Sequence, residues 1–253
     1  MLYVIYWCHN YHFLSYAAME QGRGREAIEA ARGAATTAPV DMLHMMPGMD
    51  IFLTPPYAAL VDFGRWDEIL AEPPPPAGFP FVRGMWHYAR GLAFDAKGQP
   101  DSAGQERDSV KSIAAAVPED QPAGFNTAKA LLGIASDALG GALASRRGDH
   151  DQAVALLRQA VRGEDGLSYD EPPDWMLPAR RMLGRALLAA GRARQAEAAF
   201  RQDLRRHPEN GRSLYGLAKS LEAQNRTREA SEVEARFRKA WTRADITPEI
   251  AGF

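Results

Sequence analysis

A unit of sequence recurs along this chain with a spacing of 34 residues, and that spacing limits the possible folds more than any other feature. In its clearest copy, Leu183-Gly184 precedes a Gly191-Arg192 turn, and the same offsets return from Leu217, 34 positions after Leu183. A period of this length with helical apolar spacing predicts stacked pairs of antiparallel helices. Because one pair cannot bury its own apolar face, we expect the pairs to stack into an all-α solenoid with a concave surface.

Turn residues of the same kind occur six times along the chain, so we expect about six units. Five of the six turns are followed by a small residue, which lets two helix backbones approach closely. The turns are Gly22, Gly64, Gly98, Gly148, Gly191 and Asn225, and the small residues are Ala27, Ala103, Ala153, Ala196 and Ala230. The predicted helix pairs are 9–21 with 24–36, 55–63 with 66–71, 80–97 with 99–115, 126–147 with 149–162, 176–190 with 192–206, and 210–224 with 226–242.

Three longer segments separate these pairs, at 38–54, 72–79 and 163–175. The last two share the string Glu-Pro-Pro followed by an aromatic residue. Proline restricts the backbone, so we expect rigid irregular loops. Long ordered loops of a solenoid tend to fall on one face, often the binding face, so they are either part of a binding site or spacers between helices.

The composition excludes several classes of function. Lys and Arg total 30 and Asp and Glu total 32, so no net field favours nucleic acid as a partner. The single cysteine, Cys8, excludes an internal disulfide. No apolar stretch approaches the ~18 residues of a membrane span, and the N-terminus carries no signal-peptide pattern. We therefore expect a soluble protein with no membrane span, cytoplasmic or periplasmic, its compartment undetermined.

The repeated residues resemble the tetratricopeptide-repeat family, which places Leu-Gly, Ala, an aromatic residue and Pro where this chain has Leu183-Gly184, Ala196, Phe200 and Pro208. The resemblance implies a right-handed superhelix of antiparallel helix pairs whose concave groove binds a peptide or protein. It extends over a single solenoid, 1–253, and is best in four repeats: 84–118, 126–162, 176–208 and 210–242.

A narrower resemblance is to the C-terminal portion of a group of bacterial tetratricopeptide-repeat proteins of unassigned biochemistry. It is carried by His9-Asn10-Tyr11-His12-Phe13-Leu14, Trp86-His87-Tyr88-Ala89-Arg90-Gly91 and Tyr169-Asp170-Glu171-Pro172-Pro173-Asp174-Trp175, among other strings. In that group the His-Asn-x-His-Phe string follows further repeats. The resemblance therefore implies that N-terminal repeats are missing here. The apolar run within residues 1–7 is an alternative sign of a homodimer, because the end of a solenoid normally carries a polar cap.

Candidate site residues lie on the first helices of the pairs and in the loops. Trp86, His87 and Arg90 share adjacent faces of one helix and would offer an aromatic ring and a cation to a ligand. Glu171, Trp175 and Arg180 would place a carboxylate, a ring and a cation at the mouth of the fifth unit. In both sets, the alternative role is packing between elements.

His9 and His12 lie three residues apart and would project from one face of a helix, so they are weak candidates for metal ligands. Two histidines do not complete a zinc site, and an ordinary hydrogen-bonded role remains open. No cofactor is predicted. The chain also lacks the nucleophile elbow, phosphate loop, dinucleotide fingerprint and zinc-protease motifs, and no catalytic residue is predicted.

These observations favour a non-enzymatic interaction module that binds a peptide or protein partner in its concave groove. The groove would be walled by His9, His12, Trp86, His87, Arg90, Glu171 and Trp175. The alternative is a small-molecule or metal-binding protein on the same scaffold, with an enzyme among its possible forms. The identity of the ligand is beyond the sequence.

Overall fold

The computed structural model describes residues 2–247, and these residues form an all-α solenoid with one small hairpin. In chain order the helices are α1 (Leu2–Glu20), α2 (Gly24–Thr37), α3 (Val40–His44), a 3-10 helix (Met49–Leu53), α4 (Pro55–Asp62), α5 (Trp66–Ala71), α6 (Pro80–Ala96), α7 (Pro100–Ala116), α8 (Ala128–Arg146), α9 (His150–Asp165), α10 (Ala179–Ala189), α11 (Ala193–Arg206), α12 (Gly211–Glu222) and α13 (Thr227–Ala240). Strands β1 (Pro122–Ala123) and β2 (Asn126–Thr127) form the antiparallel hairpin before α8.

Twelve of these helices form six sequential pairs: α1 with α2, α4 with α5, α6 with α7, α8 with α9, α10 with α11, and α12 with α13. The prediction of six helix pairs is confirmed. Its bounds differ most at α1, which starts at Leu2 and not at residue 9, because Tyr3 to Trp7 contain no residue that interrupts a helix. The loop expected at 38–54 contains α3 and the 3-10 helix, which are too short to show a helical period.

The turns inside the six pairs share one backbone conformation and one hydrogen-bond pattern. At all six predicted turn positions φ is positive, between 57° and 79°. The next residue donates its N–H to a carbonyl five positions earlier, as in Gln99 to Phe94 and Arg226 to Leu221. This is the Schellman helix ending, which needs a left-handed residue. Asn225 is the one non-glycine among the six, and Asn tolerates this conformation better than most residues.

Small residues permit the close packing of helices that the repeat pattern indicates. The five predicted alanines are buried, with at most 3% of their surface exposed. Within the fifth unit, the ring of Phe200 on α11 packs directly against Gly184 on α10, where a Cβ atom would lie 2.5 Å from the ring. The glycine therefore leaves the space that the ring occupies.

The two ends of the solenoid contact each other. The indole ring of Trp241, just after α13, covers Gly22 in the first turn, and its ring also packs against Gly211. Asp245 then accepts backbone N–H groups of Gly24 at 2.6 Å and Arg25 at 3.0 Å. The carboxylate of Asp245 therefore caps the N-terminus of α2 from 220 residues away, and the superhelix is closed on itself.

Candidate functional site

The concave side is occupied by side chains of the first helices, which meet one another across the axis. Arg181 on α10 donates to Glu20 on α1 at 2.8 Å, and Asn210 donates to the other oxygen of Glu20 at 2.7 Å. Arg212 on α12 pairs with Asp62 on α4 at 2.9 Å. We call these five residues the central ionic cluster. It joins the first two units to the last two.

Asp203 on α11 and His207, the residue that follows this helix, extend the cluster. Asp203 is fully buried, accepts the hydroxyl of Ser213 at 2.5 Å and lies 3.0 Å from His207. Burial raises the pKa of its carboxyl, but the hydrogen bond with His207 and the charge of Arg181 outweigh it and hold the pKa of Asp203 below its usual value. Asp203 is therefore ionised inside the protein and balances Arg181.

His12 lies deep in the same concave side. Only 4% of its surface is exposed, its Nε2 lies 3.2 Å from the sulfur of Met176, and its ring meets Phe52 edge-on. Burial, together with the nearby His9, lowers the pKa of His12 to about 4. His12 is therefore neutral at physiological pH. His9 is half-buried and lies edge-on to Phe13.

Metal binding by His9 and His12 stays a prediction. Within residues 2–247, no group of three or more His, Cys, Asp or Glu side chains is placed to hold a metal ion.

Trp175 lies close to this region: it is 3% exposed, contacts the ring of Tyr88 and donates its indole N–H to the carbonyl of Leu177 at 2.6 Å.

Trp86, His87 and Arg90 lie close together, between α5, α6 and α7. Arg90 stacks 4.5 Å over the Trp86 ring and donates to Glu106 of α7 at 2.8 Å. His87 lies 2.5 Å from the other oxygen of Glu106. Arg90 also donates to the carbonyl of Leu70 on α5 at 3.3 Å, so these residues tie the second and third units together. This is the packing role that the sequence left open. A ligand-binding role for the three residues stays a prediction.

Glu106 completes this second charged cluster. Burial raises the pKa of its carboxyl, but hydrogen bonds with His87 and Arg90 outweigh burial and lower the pKa below its usual value. Glu106 is not among the candidate residues predicted from the sequence. Its position in the repeat could have indicated this role, because Glu106 lies on the second helix of the pair whose first helix carries His87 and Arg90.

Glu171, Trp175 and Arg180 lie in three different environments. Arg180 is buried and forms an ion pair with Asp165 at the end of α9. Glu171 is exposed and accepts the hydroxyl of Tyr169. Trp175 is packed inside the concave side, as described above. The three residues are not brought together around one cavity.

The long loops, in contrast, do assemble on one edge of the solenoid. The N–H of Gly124 donates to the carbonyl of Gly48 at 2.9 Å, and Asn126 accepts the N–H of Ser168 at 2.7 Å. Asp174 accepts from the N–H of Phe125 at 2.9 Å. We call the surface formed by residues 44–48, 119–126 and 167–174 the loop rim. Sequence reasoning found two of its three segments and missed the β1–β2 hairpin.

Asp174 holds the hairpin of the loop rim. It also accepts from the side-chain amide of Asn126 at 2.7 Å, and a Cβ atom at Gly124 would collide with its carboxylate. Burial raises the pKa of Asp174 to about 6. The rim is therefore a rigid, hydrogen-bonded surface, as the proline content of its loops predicts.

The loop rim combines exposed apolar side chains with charge of one sign. Met45, Phe125 and Tyr169 expose 65%, 73% and 82% of their surface. The rim contains five acidic residues and neither Lys nor Arg; the acidic residues are Glu119, Asp120, Asp170, Glu171 and Asp174. Lys129, just outside the rim, pairs with Glu119. Large apolar side chains exposed among polar residues are typical of interaction surfaces.

Comparison with known proteins identifies the repeats. A tetratricopeptide-repeat family model matches residues 181–244, which contain most of α10 and all of α11, α12 and α13. Residues 181–244 are therefore tetratricopeptide repeats, and the described chain as a whole is an all-α solenoid. No curated protein matches it.

Solved structures of low sequence identity are similar over most of the chain. MamA (MSR-1) is 16% identical, with 92% of this chain and 95% of that chain covered and a TM-score of 0.42. A Podosopora anserina putative kinesin light chain with nearly identical TPR-like repeats is 19% identical, with 94% and 96% covered and a TM-score of 0.47. Within residues 2–247, no helix is both long and apolar enough to cross a bilayer.

Proposed function

We propose that this chain is a protein-interaction module that binds a cationic peptide segment of its partner on the loop rim. Tetratricopeptide repeats in general mediate contacts between proteins. The observation that carries the choice of surface is the joining of three loops into one rigid face with exposed Phe125 and Tyr169 and only acidic charge.

The charge of the loop rim defines the partner. A segment rich in Lys or Arg would pair with Asp170 and Glu171, which are partly or fully exposed. Its apolar or aromatic residues would cover Phe125 and Tyr169, and burial of aromatic side chains supplies most of the affinity at interfaces of this kind. Because the surface charges are exposed, they would mainly speed association, and the binding would weaken as salt is raised.

The concave groove expected from the repeat family is less suited to a peptide. His12, Trp175 and Arg181 are buried there by contacts with the rest of the chain. A peptide entering this side would have to break the central ionic cluster and leave its charges unpaired, at a cost of several kcal/mol. Nothing among the described residues favours the alternative of a metal-binding or catalytic site.

The test is selection of peptides from a displayed random library on the purified protein, followed by fluorescence anisotropy with one selected peptide. We expect Lys- or Arg-containing peptides with aromatic residues. Phe125→Ser should weaken the binding of these peptides at least tenfold. The double variant Asp170→Asn, Glu171→Gln should make peptide binding less sensitive to salt.

Phe13→Ser is the matched control, because Phe13 is an exposed aromatic residue on α1, outside the rim. It should leave peptide binding unchanged. Selected peptides without cationic residues, or binding that is insensitive to Phe125→Ser, would contradict the proposal.

A further inference from the structure

Helix α1 has two apolar faces, and the described residues cover only one of them. Its inner face is buried against α2 and α4 and includes Cys8, Ser15 and Met19, each at most 1% exposed. Its outer face carries large apolar side chains that remain open: Tyr3, Tyr6, Trp7, Phe13 and Leu14 expose 83%, 59%, 59%, 38% and 41% of their surface.

The outer face follows the spacing of a helix–helix interface. At 3.6 residues per turn, positions 3, 7, 10, 14 and 17 fall within a stripe about 80° wide. These positions alternate steps of four and three, as in a coiled coil. We call Tyr3, Tyr6, Trp7, Asn10, Phe13, Leu14 and Ala17 the α1 stripe.

The α1 stripe carries no charge. No Asp, Glu, Lys or Arg occurs from Leu2 to Met19. A helix with large apolar side chains on two faces is typically buried on both of them. A neutral surface also offers nothing to a charged partner, whereas two copies of it meet without repulsion.

The apolar side chains of the stripe meet one another when the stripe is placed against a second copy in reverse order. When two α1 helices run antiparallel about a two-fold axis at Asn10, residue n faces residue 20 − n of the other copy. Tyr3 then meets the small Ala17, Tyr6 meets Leu14, and Trp7 meets Phe13. The side-chain amide of Asn10 meets its own copy, and an amide both donates and accepts hydrogen bonds.

We propose that the α1 stripe binds a second copy of this chain, with the two α1 helices antiparallel and Asn10 on the two-fold axis. Such an interface is isologous and closes at two chains. The central Asn–Asn pair sets the alignment, because a slip of the helices would bury an unpaired amide among aromatic rings.

The exposed area of the stripe is sufficient for a reversible dimer. Because an aromatic side chain carries about 150–250 Å², the exposed fractions of the five large side chains amount to about 500 Å² per copy. The pair would bury about 1,000 Å², which is the lower limit for a specific interface. We therefore expect a dimer with a dissociation constant in the micromolar range.

The first test is sedimentation velocity of the full chain over a range of concentrations. The mass should rise from 27.8 kDa towards twice that value. Tyr3→Glu should raise the dissociation constant at least tenfold without changing the thermal unfolding of the monomer, because Tyr3 is largely exposed. Tyr169→Glu is the matched control: this tyrosine is 82% exposed but lies in the loop rim, so dimerisation should be unaffected.

The second test determines the direction of the helices by cysteine crosslinking in a Cys8→Ala background with a short bismaleimide. Asn10→Cys should crosslink to itself. Tyr3→Cys alone should not, since 14 residues of helix separate the two sites by about 21 Å, but it should crosslink to Ala17→Cys in a mixture.

Two outcomes would overturn the proposal. A protein that stays monomeric at high concentration would mean that the stripe binds another partner or none. Self-crosslinking of Tyr3→Cys and of Ala17→Cys would mean that the helices are parallel. Neither result bears on peptide binding at the loop rim, which is measured separately.

Discussion

Arg181 donates from Nη2 to Oε1 of Glu20 at 2.8 Å, and this bond joins residues 161 positions apart. Both side chains are at least four-fifths buried. Glu20 ends the first helix of the first unit, and Arg181 begins the first helix of the fifth. The bond is therefore a direct link between units that a linear array of repeats would keep apart.

Removal of Arg181 tests how much this link stabilises the fold. Arg181→Leu leaves the buried carboxylates of Glu20 and Asp203 without their cation, and breaking a buried pair in this way costs about 3–5 kcal/mol. We expect that loss in the free energy of unfolding measured by urea denaturation. Arg228→Leu should change it by less than about 0.5 kcal/mol, because the Arg228–Glu232 pair is exposed. Equal losses for the two variants would contradict the central role of the cluster.

The remote cap of α2 gives a second prediction. Asp245→Ala removes the acceptor for the Gly24 and Arg25 N–H groups, and loss of an N-cap costs about 1 kcal/mol. Hydrogen exchange should accelerate both in the first turn of α2 and around Trp241, because the same residue joins the two segments.

Asp149→Ala is the matched control for this cap. Asp149 caps α9 locally, by accepting the N–H of Gln152 at 3.2 Å. Its removal should cost a similar free energy but accelerate exchange only at the start of α9. Exchange in α2 that is unaffected by Asp245→Ala would show that the C-terminal segment does not hold the closure.

Buried His12 makes the stability depend on pH. Its pKa is lowered from 6.5 to about 4 in the folded protein, so the unfolded chain binds the proton more tightly. The contribution of neutral His12 to the free energy of unfolding is therefore fully present above pH 6.5 and is lost as the pH falls towards 4. The shift of 2.5 corresponds to ~3 kcal/mol. Relative to His12→Gln, the native protein should lose about that much between pH 7 and 4 in urea denaturation.

Glu164 should show the opposite dependence. Burial raises its pKa from 4.5 to about 7, although the N–H of Ala179 donates to it at 2.9 Å. The folded protein therefore disfavours the carboxylate above pH 7, and this cost disappears below pH 4.5. Glu164→Gln should stabilise the protein by about 1–3 kcal/mol at pH 8 and have no such effect at pH 4. If the native protein and Glu164→Gln showed the same pH dependence of stability, the raised pKa of Glu164 would be contradicted.

Two glycines, one in close contact with a ring and one in open space, test the packing between helices. Gly184→Ala should destabilise the protein by about 1–3 kcal/mol, because the added Cβ overlaps the Phe200 ring. Gly104→Ala on α7 should instead stabilise it by about 0.5–1 kcal/mol, since nothing lies within 4 Å of its Cβ position and alanine is the better helix former. Thermal unfolding of the pair measures both. A stabilising Gly184→Ala would mean that Phe200 has room to move.

Sequence reasoning located the helix pairs because each depends on local chemistry. A left-handed residue at the turn, a small residue after it and apolar spacing before it are all visible within 34 residues. Asp149, directly after the turn at Gly148, is a residue type favoured at helix N-caps, and its side chain accepts a hydrogen bond at the start of α9.

The candidate site was harder to predict, because sequence spacing shows which residues share a helix face but not what that face meets. Trp86, His87 and Arg90 do lie together, yet they contact Glu106 and the backbone of Leu70. Phe125 was missed because nothing in its neighbourhood marks a two-residue hairpin that pairs with Gly48.

By itself, then, the sequence determined the repeating helix pairs, their turns and the apolar run at the start of α1, since these depend on residues close together in the chain. Only the tertiary structure decided that the solenoid closes, through contacts such as Arg181 with Glu20 and Asp245 with Gly24. It also decided that the loops form one rim. The physical reason is that small rotations between successive pairs add up over six units, and their sum sets which distant side chains meet.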